Sequence, residues 1–340
     1  MNIIDYVSSQ HEPLTRFNMN EADMFVLTAL SYISFAGCGS FDSTEKLGNL
    51  ANELLALTLV FREEKFKNFL AALAKSGRFF NLGICGYRDE HNAIDDTLQF
   101  SAVTIKIADN LWFISYSGTD GTVVGWKEDF QFAYMEQTSA QRKALEYIDE
   151  ASQKLKGNFI VSGHSKGGNL AAYASIFSPK YIQDRIIGIY CNDAPGFNEK
   201  LDVYSTDGYM NISEKVRCFI PQDAIIGRLL QTFPKKHFTV IRSVAESVIY
   251  QHDIFNWQLT EYGLPMIESG LNTFTDISMD IVNRVISHIP QKGKKDLTDA
   301  LFDIFEKGNV QHLNLDYLLS NLPVRFAKWV AYYKIGGFFT

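Results

Sequence analysis

The chain has 340 residues, of which 46% are hydrophobic and 21% are charged, and both fractions are ordinary for a globular protein. Its formal net charge of −7 provides no general attraction to phosphate backbones, so we do not expect nucleic acid as a partner. This length allows one large α/β domain with helical additions.

The N-terminal quarter carries helical patterns. Apolar residues recur at helical spacing from Met24 to Phe35, behind a candidate N-cap at Asn20. The same periodicity returns over residues 61–74. We therefore expect a helical N-terminal segment over residues 1–80.

The middle of the chain alternates between strand and helix patterns. Residues 98–107 and 111–116 predict a β-hairpin, because β-branched residues cluster on both sides of the turn signal Asp109-Asn110. Further strands are predicted over 159–162, 186–191, 216–220 and 238–243, and helices over 140–155 and 167–177. Such alternation is typical of a mostly parallel central sheet with helices on both faces.

The C-terminal region shows little strand pattern. Residues 267–334 predict three helices, with breaks near 290–293 and 308–313. No linker or repeat divides the chain, so we expect a single domain over 1–340, with a core at about 90–260 and helical extensions at both ends, the second over 261–340. The last residues, 336–340, are a candidate for contact with a membrane surface.

The cellular compartment is predicted from the N-terminus and the cysteines. Neither Lys nor Arg occurs before Arg16, so the charged region of a secretory signal is missing. The four cysteines are widely spaced and form no paired metal-ligand motif. Reduced, buried thiols, a cytoplasmic location and no metal site are the expectation.

The most informative motif is Gly163-His164-Ser165-Lys166-Gly167, a G-x-S-x-G pentapeptide between a predicted strand and a predicted helix. Such a strand-turn-helix holds a serine in a strained turn, and glycines let the two elements pass closely. We therefore predict an α/β-hydrolase fold with Ser165 as nucleophile. The motif lacks the spacing of dinucleotide and P-loop phosphate sites. A Ser-Lys mechanism through Lys166 is disfavoured, because adjacent residues of such a turn point apart.

The general base and its acidic partner are expected after later strands, in the order acid and then histidine. His252 follows the last predicted strand and is the predicted base. Asp223 and Asp193 both follow strands and compete to orient it. We favour Asp223, because the loop after the later strand is the commoner acid position. Asp193 has an alternative, purely structural interpretation as a residue that shapes the turn at Pro195-Gly196.

The oxyanion hole needs two donors. Lys166 supplies one backbone N–H at the predicted helix start, and Thr119, which follows the second hairpin strand, is predicted to supply the other. A plain glycine turn at Gly118 is the alternative interpretation of that loop.

Several ordered motifs together resemble the Mbeg1-like (DUF2974) family of bacterial proteins, which is similar to the class 3, fungal-type lipases. They are Gln99-Phe-Ser-Ala, Phe113-Ile-Ser-Tyr-Ser-Gly118-Thr119-Asp120, Gly125-Trp126-Lys-Glu-Asp129-Phe, the Ser165 motif, Asn192-Asp-Ala-Pro-Gly-Phe, Pro221-Gln-Asp223 and Gln251-His252-Asp. The resemblance covers about residues 18–257. It implies an α/β-hydrolase fold, a triad of Ser165, Asp223 and His252, and an oxyanion hole of Thr119 with the Lys166 N–H.

The expected function is hydrolysis of a small or lipid-like acyl ester through an acyl-enzyme, with no cofactor. A thioesterase, acyltransferase or peptidase would use the same triad, so these remain alternatives within one chemistry. A non-catalytic binding module that retains the fold is the alternative from a different class.

Overall fold

A computed structural model of the chain describes residues 1–57, 63–93, 97–307, 310, 312 and 313. Within these residues one eight-stranded sheet runs in the order β1 to β8. The strands are β1 (Glu45–Lys46), β2 (Gly83–Asn92), β3 (Leu98–Ala108), β4 (Leu111–Tyr116), β5 (Asn158–His164), β6 (Ile186–Asn192), β7 (Val216–Pro221) and β8 (Phe238–Ile241).

The sheet is mixed, with its antiparallel part at one end. Strands β1 to β4 pair antiparallel, whereas β4 to β8 are all parallel. The parallel strands each need a crossover connection, and helices provide these crossovers between β4 and β7. The predicted mostly parallel α/β sheet, with the architecture of an α/β-hydrolase, is therefore confirmed.

Twelve helices of at least four residues accompany the sheet in the described part of the chain. They are α1 (Ile3–Ser9), α2 (Glu21–Ala29), α3 (Leu47–Ala56), α4 (Glu64–Leu73), α5 (Val123–Gln131), α6 (Ser139–Lys154), α7 (Lys166–Phe177), α8 (Lys180–Gln183), α9 (Asp207–Ile212), α10 (Val248–Gln251), α11 (Thr273–His288) and α12 (Gln291–Lys307).

Helices cover both faces of the sheet. The buried apolar residues of α1 to α4 form one core with the inner side chains of β3 to β5 and with Trp257. On the other face, α6, α7 and α9 share a second core with β3 to β7. Burial of these two apolar layers is the main term that stabilises the arrangement. A smaller cluster joins Val123 at the start of α5 to Phe302 of α12.

Helices α1 and α2 begin at side-chain caps, formed by Asn2 and Asn20. The Asn20 side-chain oxygen accepts a hydrogen bond from the Asp23 N–H, and the Asp23 carboxylate accepts one from the Asn20 N–H, which completes a capping box at the predicted cap. The buried Asp23 also pairs with Arg78 at 2.6 Å. The Asp23–Arg78 pair thus ties the start of α2 to the segment after α4, while α2 itself packs against β4 and β5.

Strand β2 was not predicted from the sequence. Its register against β3 shifts between Cys85 and Arg88, and Gly86 there has a φ of +63°. This β-bulge interrupts the strict alternation of inward and outward side chains that identifies a strand in a sequence. The predicted hairpin of β3 and β4 and the four later strands are observed within a few residues of their predicted bounds.

The C-terminal region contains the first two predicted helices, α11 and α12, separated at Ile289 and Pro290. The third predicted helix and residues 336–340 lie outside the described residues. All four cysteines are unpaired and buried, as predicted. None of the described helices combines the length and apolarity needed to cross a membrane.

Candidate active site

A cleft of about 800 Å³ opens at the carboxyl ends of β4 and β5. Ser165, His252 and Thr119 all line it, so the structure brings three of the predicted site residues to one cavity. The carboxyl ends of parallel strands are the usual position for sites in such sheets.

Ser165 occupies a sharp turn between β5 and α7. Its φ of 58° and ψ of −131° lie in a region that non-glycine residues avoid, and its N–H donates to the Asn192 carbonyl at 2.9 Å. A Cβ at Gly163 would lie 2.1 Å from the Gly167 carbonyl group. A Cβ at Gly167 would lie 2.1 Å from the backbone carbonyl oxygen of Tyr116. The glycines are therefore required by close packing around a strained, half-buried serine.

The imidazole of His252 is held by a buried carboxylate. His252 Nδ1 lies 2.6 Å from Asp193 Oδ2, and the Asp193 side chain is only 1% exposed. Because the carboxylate oxygen accepts, Nδ1 carries the proton and Nε2 keeps its lone pair. The second Asp193 oxygen accepts the Gly227 N–H at 2.9 Å, which fixes the carboxylate in place.

The choice of Asp223 as the orienting acid was wrong. The Asp223 carboxylate accepts hydrogen bonds from Gln251 Nε2 at 3.1 Å and from the Thr275 hydroxyl at 2.9 Å. The Asp223 N–H in turn donates to Gln251 Oε1 at 3.0 Å. Asp223 therefore ties β7 to the residue before His252 and to α11, one step away from the imidazole.

Strand order explains why Asp193 takes this position. β6 pairs directly with β5, and His164 lies opposite Asn192, so Asp193 follows β6 at the same level at which Ser165 follows β5. β7 is one strand farther away. Asp193 also has a left-handed backbone, with φ of 43°, which turns its side chain toward the cleft side of the loop. The sequence showed both aspartates after strands but not which loop turned inward.

His164 packs against His252. Its ring centroid lies 4.5 Å from that of His252, and its Nε2 lies 2.7 Å from the His252 carbonyl oxygen. That carbonyl only accepts, so Nε2 carries the proton and Nδ1 accepts the Tyr32 hydroxyl at 2.7 Å. Burial, assisted by His252, holds the pKa of His164 well below its usual value. A neutral His164 thus braces the His252 backbone.

The side chain of Lys166 points away from the serine. It is 1% exposed, and its Nζ lies 2.6 Å from Glu128 Oε2 and 2.7 Å from the Gln99 carbonyl oxygen. Glu128 is itself fully buried and also accepts the Gln99 and Ala140 N–H groups. A Ser-Lys mechanism therefore has no support. The Lys166 N–H is the first of α7, where backbone donors lack helical acceptors.

Thr119 is held by a buried acid. Its hydroxyl donates to Asp129 Oδ2 at 2.5 Å, and Asp129 Oδ1 has no hydrogen-bond partner among the described residues. Burial raises the pKa of Asp129 to about 7. While Asp129 is ionised, its carboxylate accepts the hydrogen bond from the Thr119 hydroxyl. Sequence reasoning missed Asp129 and Glu128, although both belong to the motif at residues 125–130.

The described residues contain no cluster of three or more His, Cys, Asp or Glu side chains arranged to hold a metal ion.

A model of the Mbeg1-like family matches residues 73–303 of the chain. The match spans the sheet from β2 onward, the Ser165 turn and both residues of the His252 and Asp193 pair. No protein of curated function matches the sequence.

Several solved structures show partial similarity. The M37 lipase structure has a TM-score of 0.39 at 14% identity and covers 84% of this chain and 97% of its own. The Rhizopus microsporus var. chinensis lipase has a TM-score of 0.37 at 11% identity, covering 80% and 91%. The Rhizomucor miehei lipase propeptide complex has a TM-score of 0.38 at 12% identity, covering 78% and 89%. Scores this low leave the fold assignment to rest on the sheet order and the Ser165 turn.

Proposed function

The chain belongs to the Mbeg1-like family, and from its cleft we propose that it is a serine hydrolase of carboxylic esters, with Ser165 as nucleophile, His252 as base and Asp193 as orienting acid. One observation carries the proposal. A strained serine shares a cleft with a histidine whose Nδ1 is bonded to a buried carboxylate at 2.6 Å. Because Nδ1 is bonded to Asp193, Nε2 is the ring nitrogen that is left to accept a proton from Ser165.

The reaction is an acyl transfer in two halves. His252 Nε2 accepts the Ser165 hydroxyl proton as Oγ attacks the ester carbonyl, and the same proton then passes to the departing alcohol. Water releases the acyl group by the reverse sequence, giving up a proton to His252 and restoring Ser165. The Asp193 carboxylate stabilises the imidazolium that forms transiently.

The oxyanion is proposed to bind two backbone donors. The Lys166 N–H opens α7, where the positive end of the helix dipole favours negative charge, and the Thr119 N–H approaches from the loop after β4. The buried contacts of Lys166 with Glu128 and of Thr119 with Asp129 hold both segments rigidly. Such preorganisation means that little reorganisation is needed as charge develops.

The acyl group is proposed to occupy the apolar side of the cleft. Phe66 of α4 packs on Phe255 with ring centroids 5.5 Å apart, and Leu54 of α3 and Leu70 of α4 line the same cavity. Such a wall binds a hydrocarbon chain by removing its surface from water. This supports a lipid-like acyl ester as substrate; the cytoplasmic location stays a prediction.

Fluorophosphonate labelling and hydrolysis of p-nitrophenyl esters from acetate to palmitate test the proposal. We expect the native chain to label once and to hydrolyse these esters, and Ser165→Ala to lose labelling and about 10⁴-fold or more of turnover. Ser175→Ala, in the same helix and away from the cleft, is the control. A native chain that neither labels nor hydrolyses any ester would refute the enzyme and favour a binding module.

A further inference from the structure

The cleft has a second wall of different chemistry. In addition to the apolar side, strands β2 and β3 and the loop after β4 contribute polar groups to the lining. These are Asp89, His91, Gln99, Ser101, Ser117 and Asp120. Ser165 lines the same cavity, so an ester bound there has both hydrocarbon and polar groups within the cleft.

The polar wall is built by strand register. Asp89 lies opposite Ser101, and His91 lies opposite Gln99, so all four are on one face because strand side chains alternate. The His91 imidazole lies between two carboxylates, 3.0 Å from Asp89 and 3.7 Å from Asp120. Both aspartates stay partly exposed to the cleft, with side chains 44% and 30% accessible.

The charge of the cleft is strongly negative. Among its described lining residues there are four carboxylates, Glu63, Asp89, Asp120 and Asp253, and one Lys or Arg, which is Lys65. Lys65 is already engaged, at 2.8 Å from Glu63 and 2.6 Å from Asp253. Among the described lining residues, the acids of the polar wall therefore have no Lys or Arg partner, and His91 is the basic side chain beside them.

Groups behind and beside the wall do not reverse this charge. The buried Lys166 is neutralised by Glu128, and Asp129 adds a further acid beneath Thr119. Glu90, which alternates to the other face of β2, pairs with Lys143 outside the cleft. Trp126, whose indole N–H donates to the Leu313 carbonyl, lines the same cleft as Asp120 and offers an aromatic surface.

On the basis of the proposed ester hydrolysis, we propose that the polar wall binds the alcohol half of the substrate and selects an alcohol that carries an ammonium group. Carboxylates beside an aromatic ring are the chemistry that recognises a quaternary or primary ammonium. An anionic alcohol or thiol, such as one bearing phosphates, meets repulsion from the same wall. The substrate class is therefore an acyl ester of an amino alcohol.

Three octanoyl esters with alcohols of similar size test the selection. The choline ester is cationic, the 3,3-dimethylbutyl ester is its uncharged isostere, and the 3-sulfopropyl ester is anionic. We expect kcat/KM to fall from cationic to neutral to anionic by about tenfold at each step, mainly through KM, and the steps to shrink in 0.5 M NaCl.

Variants separate wall charge from the intrinsic reactivity of each ester. Asp89→Asn and Asp120→Asn are expected to reduce the ratio of cationic to neutral kcat/KM several-fold. Glu90→Gln, on the same strand but facing away, is expected to keep the native ratio. Because each ratio is compared with that of the native chain, differences in leaving-group reactivity cancel.

The outcomes separate the amino-alcohol proposal from the proposed ester hydrolysis on which it rests. A chain that labels and hydrolyses the neutral ester, but shows no charge order or an unchanged ratio in Asp89→Asn, overturns the amino-alcohol assignment alone. A chain that neither labels nor hydrolyses any of the three esters overturns both.

Discussion

Asp193 and His252 are 59 residues apart in the chain, yet their side chains meet at 2.6 Å beside the strained serine. Asp223, at the end of the next strand, contacts Gln251 instead. The two aspartates therefore have separable roles: one bonds to the imidazole, and the other anchors the segment that carries it.

Asp193→Asn is expected to lower kcat for p-nitrophenyl butyrate by about 10³ to 10⁴, because an amide leaves His252 in the wrong tautomer. Asp223→Asn is expected to lower it about tenfold or less, since only the support of Gln251 is weakened. Steady-state kinetics with a titrated active-site concentration measures both. An equal or larger loss in Asp223→Asn would restore the original sequence prediction.

Tyr32→Phe removes the hydroxyl that donates to the buried Nδ1 of His164. A buried acceptor without its donor costs about 1 to 3 kcal/mol, so we expect the free energy of unfolding to fall by that amount. Urea denaturation measures this, with the exposed Tyr262→Phe as the matched control. Unchanged stability would show that the hydrogen bond contributes nothing.

Lys166→Met tests the buried ion pair with Glu128. It leaves the lysine backbone N–H in place but strands a buried carboxylate, which typically costs about 3 to 5 kcal/mol. The double variant with Glu128→Gln is expected to be less destabilised than Lys166→Met alone. Lys180→Met, from an exposed pair with Asp184, is the control and should change stability by about 1 kcal/mol or less. Additive effects in the double variant would contradict the coupling.

The raised pKa of Asp129 predicts that the free energy of unfolding depends on pH. Burial raises its pKa from 3.8 to about 7, so its protonated form is favoured in the folded chain. Below about pH 4 Asp129 is protonated in both the folded and the unfolded chain, and its contribution to the free energy of unfolding is fully present. As pH rises toward 7 the unfolded chain loses this proton more readily, so the free energy of unfolding falls by at most about 4 kcal/mol. In Asp129→Asn this loss should vanish. Urea denaturation of both chains at pH 5 and pH 8 measures the difference, and parallel changes would refute the assignment.

The sequence predicted the sheet core well, because β3 to β8 keep strong apolar patterns and Ser165 sits in a motif whose glycines have a steric cause. It failed at β2, where a bulge hides the alternation, and at the acid. Asp193 and Asp223 both follow strands, so only strand neighbourhood and the left-handed backbone of Asp193 decide between them. The support of Thr119 by Asp129 depends on burial, which a local pattern does not reveal.

The buried pairing of Lys166 with Glu128 also has a consequence for biosynthesis. The first residue of α7 reaches a carboxylate on α5 and a carbonyl on β3, so three elements from separate parts of the chain must dock before the lysine charge is compensated. Because an uncompensated buried lysine is costly, the serine turn is expected to be stable only once all three elements have docked. We therefore expect the proposed hydrolytic activity at Ser165 only in a chain whose tertiary fold is complete.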